Sequence, residues 1–165
     1  MSKLIIMMGA PGSGKSTWAK AHKGEYDTYV SRDDIRFSLV PEGEEYFSRE
    51  DDVWKLFIYE IDMALFRGKT VWADATHLNI KSRLKLLQNI HHTPDEIDIV
   101  YVKTPIEEAL ARNENRRDLR SYVPRSAIRR MHDSIVEPEF HEGRFTYNHI
   151  YIIEPNKPIQ IKEEM

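Results

Sequence analysis

The chain has 165 residues, 41% of them hydrophobic and 31% charged, the profile of a single globular domain with room for a proper core. Its formal net charge of −3 and its lack of cysteine exclude a uniformly basic nucleic-acid coat, disulfides, cysteine–zinc sites and thiolate nucleophiles. The first apolar run is too short for a signal peptide, and no stretch nears the roughly 20 apolar residues that cross a bilayer, so a cytoplasmic protein without a membrane partner is expected.

In chain order, LIIMM (4–8) reads as a fully buried strand and STWAKAHK (16–23) as the helix after it. DTYVS (27–31) is a second strand, and PEGEE (41–45) a solvated acidic loop. Between Asp51 and Arg67, apolar residues recur at Val53, Phe57, Ile61, Ala64 and Leu65, the three-and-four spacing of an amphipathic helix. Ser48, three residues before Asp51, suggests its cap, and Gly68 its end. TVWA (70–73) is the next strand, 80–91 a helix, and IDIVYVK (97–103) another strand. Pro105 suits a helix start, where its missing N–H is not needed. HIYIIE (149–154) closes the sheet, and the last eleven residues are a polar tail or an edge strand. Strands alternating with helices predict an α/β fold with a mostly parallel sheet, as one domain over 1–165.

The stretch GAPGSGKST (9–17) matches G-x-x-x-x-G-K-[ST] through Gly9, Gly14, Lys15 and Ser16, between a strand and a helix as a phosphate-binding loop requires. Glycines let backbone N–H groups turn toward a polyanion, and the helix start adds its dipole. Gly12, Ser13, Gly14, Lys15, Ser16 and Thr17 are the expected ATP-binding residues. Lys15 would meet the β/γ-phosphates, and the Ser16 hydroxyl would ligate Mg²⁺. The strand TVWAD ends in an acid, but it is followed by Ala75 and offers no partner to activate water. A phosphotransferase is therefore favoured over a hydrolase.

VSRDDIR (30–36) follows the second strand, on the rim that faces the phosphates. Ser31 and Asp34 have capping-box spacing, which gives Asp34 a structural occupation. Asp33 and Arg36 are three apart and share a helix face, as a general base beside a substrate-clamping guanidinium would; the plainer alternative is a surface ion pair. Asp74 lies on the same rim and can serve Mg²⁺ through water, orient Arg36, or cap the turn DATHLN. His77 in that turn reads as structural or exposed. From 112 to 130 the chain carries seven arginines against two acids. That balance suits a lid over transferring phosphates, a nucleic-acid track or a solvated helix. Arg112 and Arg116 would share a helix face.

GAPGSGKSTWA, SRDDIR, DATHLN and ARNENRR stand in the order and spacing of a known family. The chain resembles the kinase domain of phage-type polynucleotide 5′-hydroxyl kinases, within the P-loop kinases that include zeta-toxin-like enzymes. By that resemblance Asp33 corresponds to the general base and Arg36 to the residue that holds the acceptor's 3′-phosphate. Lys15 and Ser16 correspond to the phosphate and Mg²⁺ residues, Arg116 to the essential lid arginine, and Asp74 to the acid supporting the acceptor site. DATHLN is one residue longer than the phage form, and the DxDGT of the phosphatase half is missing. The implied reaction is ATP-dependent phosphorylation of a 5′-hydroxyl on DNA or RNA. The modest net charge and the acidic 42–52 region keep a small acceptor open (a nucleoside, sugar or nucleotide-sugar), and a third class is an ATP-dependent binding or switch protein.

Overall fold

The computed structural model describes residues 1–115 and 122–164. Its central sheet uses β1 (Lys3–Met8), β2 (Thr28–Ser31), β3 (Thr70–Asp74), β4 (Glu96–Val102), β7 (His149–Ile153) and β8 (Gln160–Lys162) in the order β2-β3-β1-β4-β7-β8. Neighbours pair in parallel, except that β8 runs antiparallel to β7 as an edge strand. The helices are α1 (Lys15–His22), α2 (Arg32–Leu39), α3 (Glu50–Phe66), α4 (Ile80–Asn89), α5 (Ile106–Glu114) and α6 (Arg125–Asp133). A small hairpin joins β5 (His141–Glu142) to β6 (Phe145–Thr146). Among the described residues, no helix is long and apolar enough to cross a membrane.

The apolar run of β1 is buried because both of its faces are covered. Leu4, Ile6 and Met8 pack with Val53, Phe57 and Ile61 of α3 and Leu86 of α4, while Ile5 and Met7 join Ala19, Trp72 and Val100 on the α1 side. All five apolar residues of the α3 stripe are buried. The chain leaves β1 toward β2 and β3 on one side and later returns to β4 on the other. The carboxyl end of β1 is thus the point where strand order reverses, and such crevices take ligands.

Three local expectations shift. α3 starts at Glu50 behind Arg49, which gives no side-chain cap, while the Ser48 N–H turns back to the Glu45 carbonyl. Three acids in its first turn, Glu50, Asp51 and Asp52, meet the helix dipole instead. α4 stops at Asn89 rather than 91, because the buried Asp62 carboxylate takes the His91 and His92 N–H groups out of the helical ladder. The 141–146 hairpin has two-residue strands, too short to show a period.

Its Glu142 nonetheless anchors the interior. Arg83 of α4 is wholly buried and donates Nε and Nη2 to Glu142, both at 2.8 Å, Nη1 to the His77 carbonyl and Nη2 to the Val136 carbonyl. Glu142 also accepts from the Tyr147 hydroxyl at 2.7 Å. Burial would raise this carboxyl, but Arg83 and Tyr147 outweigh it and hold it below the usual carboxylate range.

Candidate active site

The loop after β1 is shaped for a polyanion. Gly12 and Gly14 have φ of 83° and 94°, a region that side chains strain to adopt. A Cβ on Gly12 would lie 2.5 Å from the Ala109 carbonyl oxygen, and one on Gly14 2.9 Å from Arg112 Nη1. The Thr104 hydroxyl pins the loop by donating to the Ser13 carbonyl at 2.7 Å. Gly14 precedes α1 with no side-chain cap, so the first-turn N–H groups stay open to an anion. Ser13 Oγ is buried without a partner. Residues 12–17 line a cavity of about 570 Å³ together with Trp18, Asp33 and Arg112. A nucleotide triphosphate fits this cradle. Arg112 of α5 reaches the Gly12 carbonyl at 3.1 Å and Glu108 at 2.6 Å, so it meets the loop. Arg116 lies outside the described residues. Buried Asn113 exchanges two hydrogen bonds with the Val123 backbone.

Ser16 and Asp74 meet beneath the loop. The Ser16 hydroxyl donates to Asp74 Oδ2 at 2.5 Å, and the Tyr29 hydroxyl of β2 donates to the same oxygen. Burial, then the Asp74 charge, push the Tyr29 phenol up, so it stays a neutral donor. No cluster of three acids or histidines suited to a metal occurs among the described residues. Mg²⁺ on Ser16 and Asp74 would complete its shell from phosphate oxygens and water, as that ion commonly does. Of the uses open to Asp74, its contacts are on the Ser16 side; Arg36 is engaged by other residues.

Those residues form a second cluster. Arg36 is buried with 5% exposure and donates Nη1 to Asp33 Oδ1 and to the Tyr46 hydroxyl. Its Nε and Nη2 go to Glu50 at 2.5 and 3.0 Å, and Arg32 Nη2 shares Glu50 at 3.0 Å. Tyr46 donates to Asp33 Oδ1 at 2.6 Å. Burial alone would depress the Arg36 guanidinium, but Glu50, Tyr46 and Asp33 more than offset it and raise it. Arg32, with Glu50 as its charge partner, is lowered by burial. The helix that carries Asp33 is capped by Ser31, whose Oγ accepts the Asp34 N–H at 3.1 Å; Asp34 itself faces outward. Lys15, Asp33 and Arg36 line a pocket of about 140 Å³, and Lys15 and Asp33 also line the loop cavity.

Sequence reasoning missed Tyr29, Tyr46 and Glu50, the last hidden in a stretch that read only as acidic. His77 is structural. It is buried at φ 45°, its Nδ1–H donates to the Met7 carbonyl at 2.7 Å, and its Nε2 has no partner. Burial, with Arg32 and Lys15 nearby, lowers its pKa from 6.5 to about 4. Between those values the unfolded chain binds the proton and the folded one does not, so stability is lost as pH falls through that window. The loss should approach about 3 kcal/mol. Urea unfolding across that range should show a flatter slope for His77→Asn, which tolerates positive φ; equal slopes would exclude His77 as the source.

With this geometry in place, the comparisons with known proteins are specific. The model of the AAA domain family matches residues 4–138. The chain belongs to that family. It has the P-loop kinase fold, a mostly parallel sheet flanked by helices, and is similar to polynucleotide kinases. A protein of Autographa californica nuclear polyhedrosis virus, named as a bifunctional polynucleotide kinase/RNA ligase, is 29% identical over 134 residues, which are 70% of this chain and 18% of the viral protein. A chain of the Pnkp1/Rnl/Hen1 RNA repair complex superposes with a TM-score of 0.67 at 25% identity, covering 81% of this chain and 43% of its own. The chain therefore spans less than half the length of either protein. A sugar kinase from Janibacter sp. HTCC2649 has a TM-score of 0.61 at 16% identity, with 96% and 88% covered, a likeness of fold alone.

Proposed function

We propose that the protein transfers the γ-phosphate of ATP to the 5′-hydroxyl of a nucleic-acid end, with Asp33 as general base. The observation that carries this reading is the pair Lys15 and Asp33, which line both the loop cavity and the arginine-lined pocket. A phosphoryl group bound by Lys15 and a hydroxyl bound by Asp33 then meet where the two cavities join. Transfer needs alignment, charge neutralisation and a proton acceptor. The loop N–H groups and Lys15 hold the triphosphate, and Thr17 and Ser13 lie along the same cradle. Ser16 and Asp74 would hold Mg²⁺, which would supply neutralising charge to the phosphates. Asp33 takes the hydroxyl proton, while Arg36 and Tyr46 hold its carboxylate in place through Oδ1. Arg36 and Arg32 supply positive charge for the acceptor's 3′-phosphate, and Arg112, beside the Gly12 carbonyl, supplies it on the nucleotide side. The polynucleotide kinase relatives support the nucleic-acid acceptor.

The small pocket volume and the engagement of Arg36 by two carboxylates favour a second reading, a kinase of a small alcohol. Labelled ATP should phosphorylate 5′-hydroxyl oligonucleotides that carry a 3′-phosphate on the first nucleotide. If these stay unlabelled while a nucleoside or sugar is phosphorylated, the second reading replaces the first.

A further inference from the structure

The pocket beside Arg36 is small, about 140 Å³ against about 570 Å³ for the loop cavity. A sugar that fills it would carry its base toward the pocket's edge. At the edge of the pocket stands Phe47, which is 42% exposed and lines both this pocket and a neighbouring hollow of about 450 Å³ along the first turn of α3. The ring is held from behind. Tyr46 meets it edge-on, with centroids 4.6 Å apart and planes at 86°, and the Arg36 guanidinium lies 5.8 Å from its centroid. The hollow beyond carries Glu50, Asp51 and Asp52 against Arg49 and Lys55, and Arg49 is already paired with Glu44 at 3.2 Å. That balance opposes a phosphodiester and suits the amino groups of a neutral base.

We propose that Phe47 is the platform on which the acceptor's 5′-terminal nucleobase stacks, and so a specificity-determining residue. This inference rests on the nucleic-acid reading above. Stacking tolerates any base, since each has a π-face, whereas a sugar alcohol gains nothing from the ring.

Two acceptors separate the possibilities: a 5′-hydroxyl oligonucleotide with an intact terminal base, and the same strand with an abasic terminal sugar. Phe47→Ala should raise KM for the intact acceptor by about 5- to 150-fold, the range expected when a base-stacking aromatic is removed. It should leave the abasic acceptor, the KM for ATP and the melting temperature unchanged, and Phe47→Trp should restore the intact acceptor. An equal loss on both acceptors overturns the proposal in favour of a packing role, and so does the absence of a loss on the intact one. If the unaltered protein phosphorylates small alcohols but neither oligonucleotide, the parent reading fails and this one with it.

Discussion

Asp33→Asn is expected to cut turnover by roughly 10²–10⁴-fold while ATP affinity changes little. The substitution is nearly isosteric and keeps an oxygen to accept from Arg36 Nη1 and the Tyr46 hydroxyl, so the cluster should stay assembled. What disappears is the basicity needed to take a proton from the attacking hydroxyl. Under the proposed reading the nucleotide is held by the loop and Lys15, and the loop is braced by Thr104 and Arg112, which the substitution leaves in place. The measurement is kcat with a saturating acceptor beside ATP binding without acceptor. Unchanged turnover would remove Asp33 from the chemistry. A parallel collapse of ATP affinity would make it part of the nucleotide site. A binding or switch protein behaves differently again, with partner binding intact and no acceptor phosphorylated by either form.

What could be read from the sequence follows from how far its signals reach along the chain. The phosphate-binding loop is local: its glycines, lysine and serine lie within nine residues, the glycines required by backbone conformation and Lys15 and Ser16 by the chemistry of a polyphosphate. The α3 stripe is periodic, so burial on one side writes itself into the spacing of Val53, Phe57 and Ile61. Asp33 and Arg36 are a helical turn apart, and their pairing follows from that spacing. Glu50 lies fourteen residues beyond Arg36, across an irregular loop, and a carboxylate there looks the same whether solvated or clamped between two arginines. Tyr29 reaches Asp74 only because β2 and β3 pair in register, with Ser31 opposite Asp74. Asp62 ends α4 from another helix, so the early stop at Asn89 has no local signal. Long-range polar pairing has no period, and it escaped for that reason.

Arg83 is the extreme case, and its replacement by Met should produce the largest stability loss. The guanidinium has no exposed surface, and its Glu142 partner is buried at 2%. Arg83→Met leaves a carboxylate in the interior with only the Tyr147 hydroxyl and the Glu139 N–H as donors. Breaking such a pair costs about 3–5 kcal/mol. The two His77 and Val136 carbonyls also lose their donor. Position matters as well, because the His77 carbonyl stands beside Thr76, whose carbonyl accepts the Gly9 N–H at 3.0 Å. The ion pair thus braces the turn against which the phosphate-binding loop begins. Acid tests the cause. In the unaltered protein Glu142 is held below the usual carboxylate range, so its contribution is present above that range and fades as pH falls through the lowered value. Without Arg83, burial raises the same carboxyl, which protonates more readily in the folded state. The deficit of Arg83→Met relative to the unaltered protein should therefore shrink as pH falls from neutrality into the carboxylate range. Arg83→Met combined with Glu142→Leu should recover part of the loss but not all, since the Tyr147 hydroxyl and two carbonyls remain unpaired at about 1–3 kcal/mol each. Denaturant unfolding of the single and double variants gives the coupling energy directly. A deficit that does not change with pH, together with additive single losses, would mean that Arg83 acts by filling space and not through its charge.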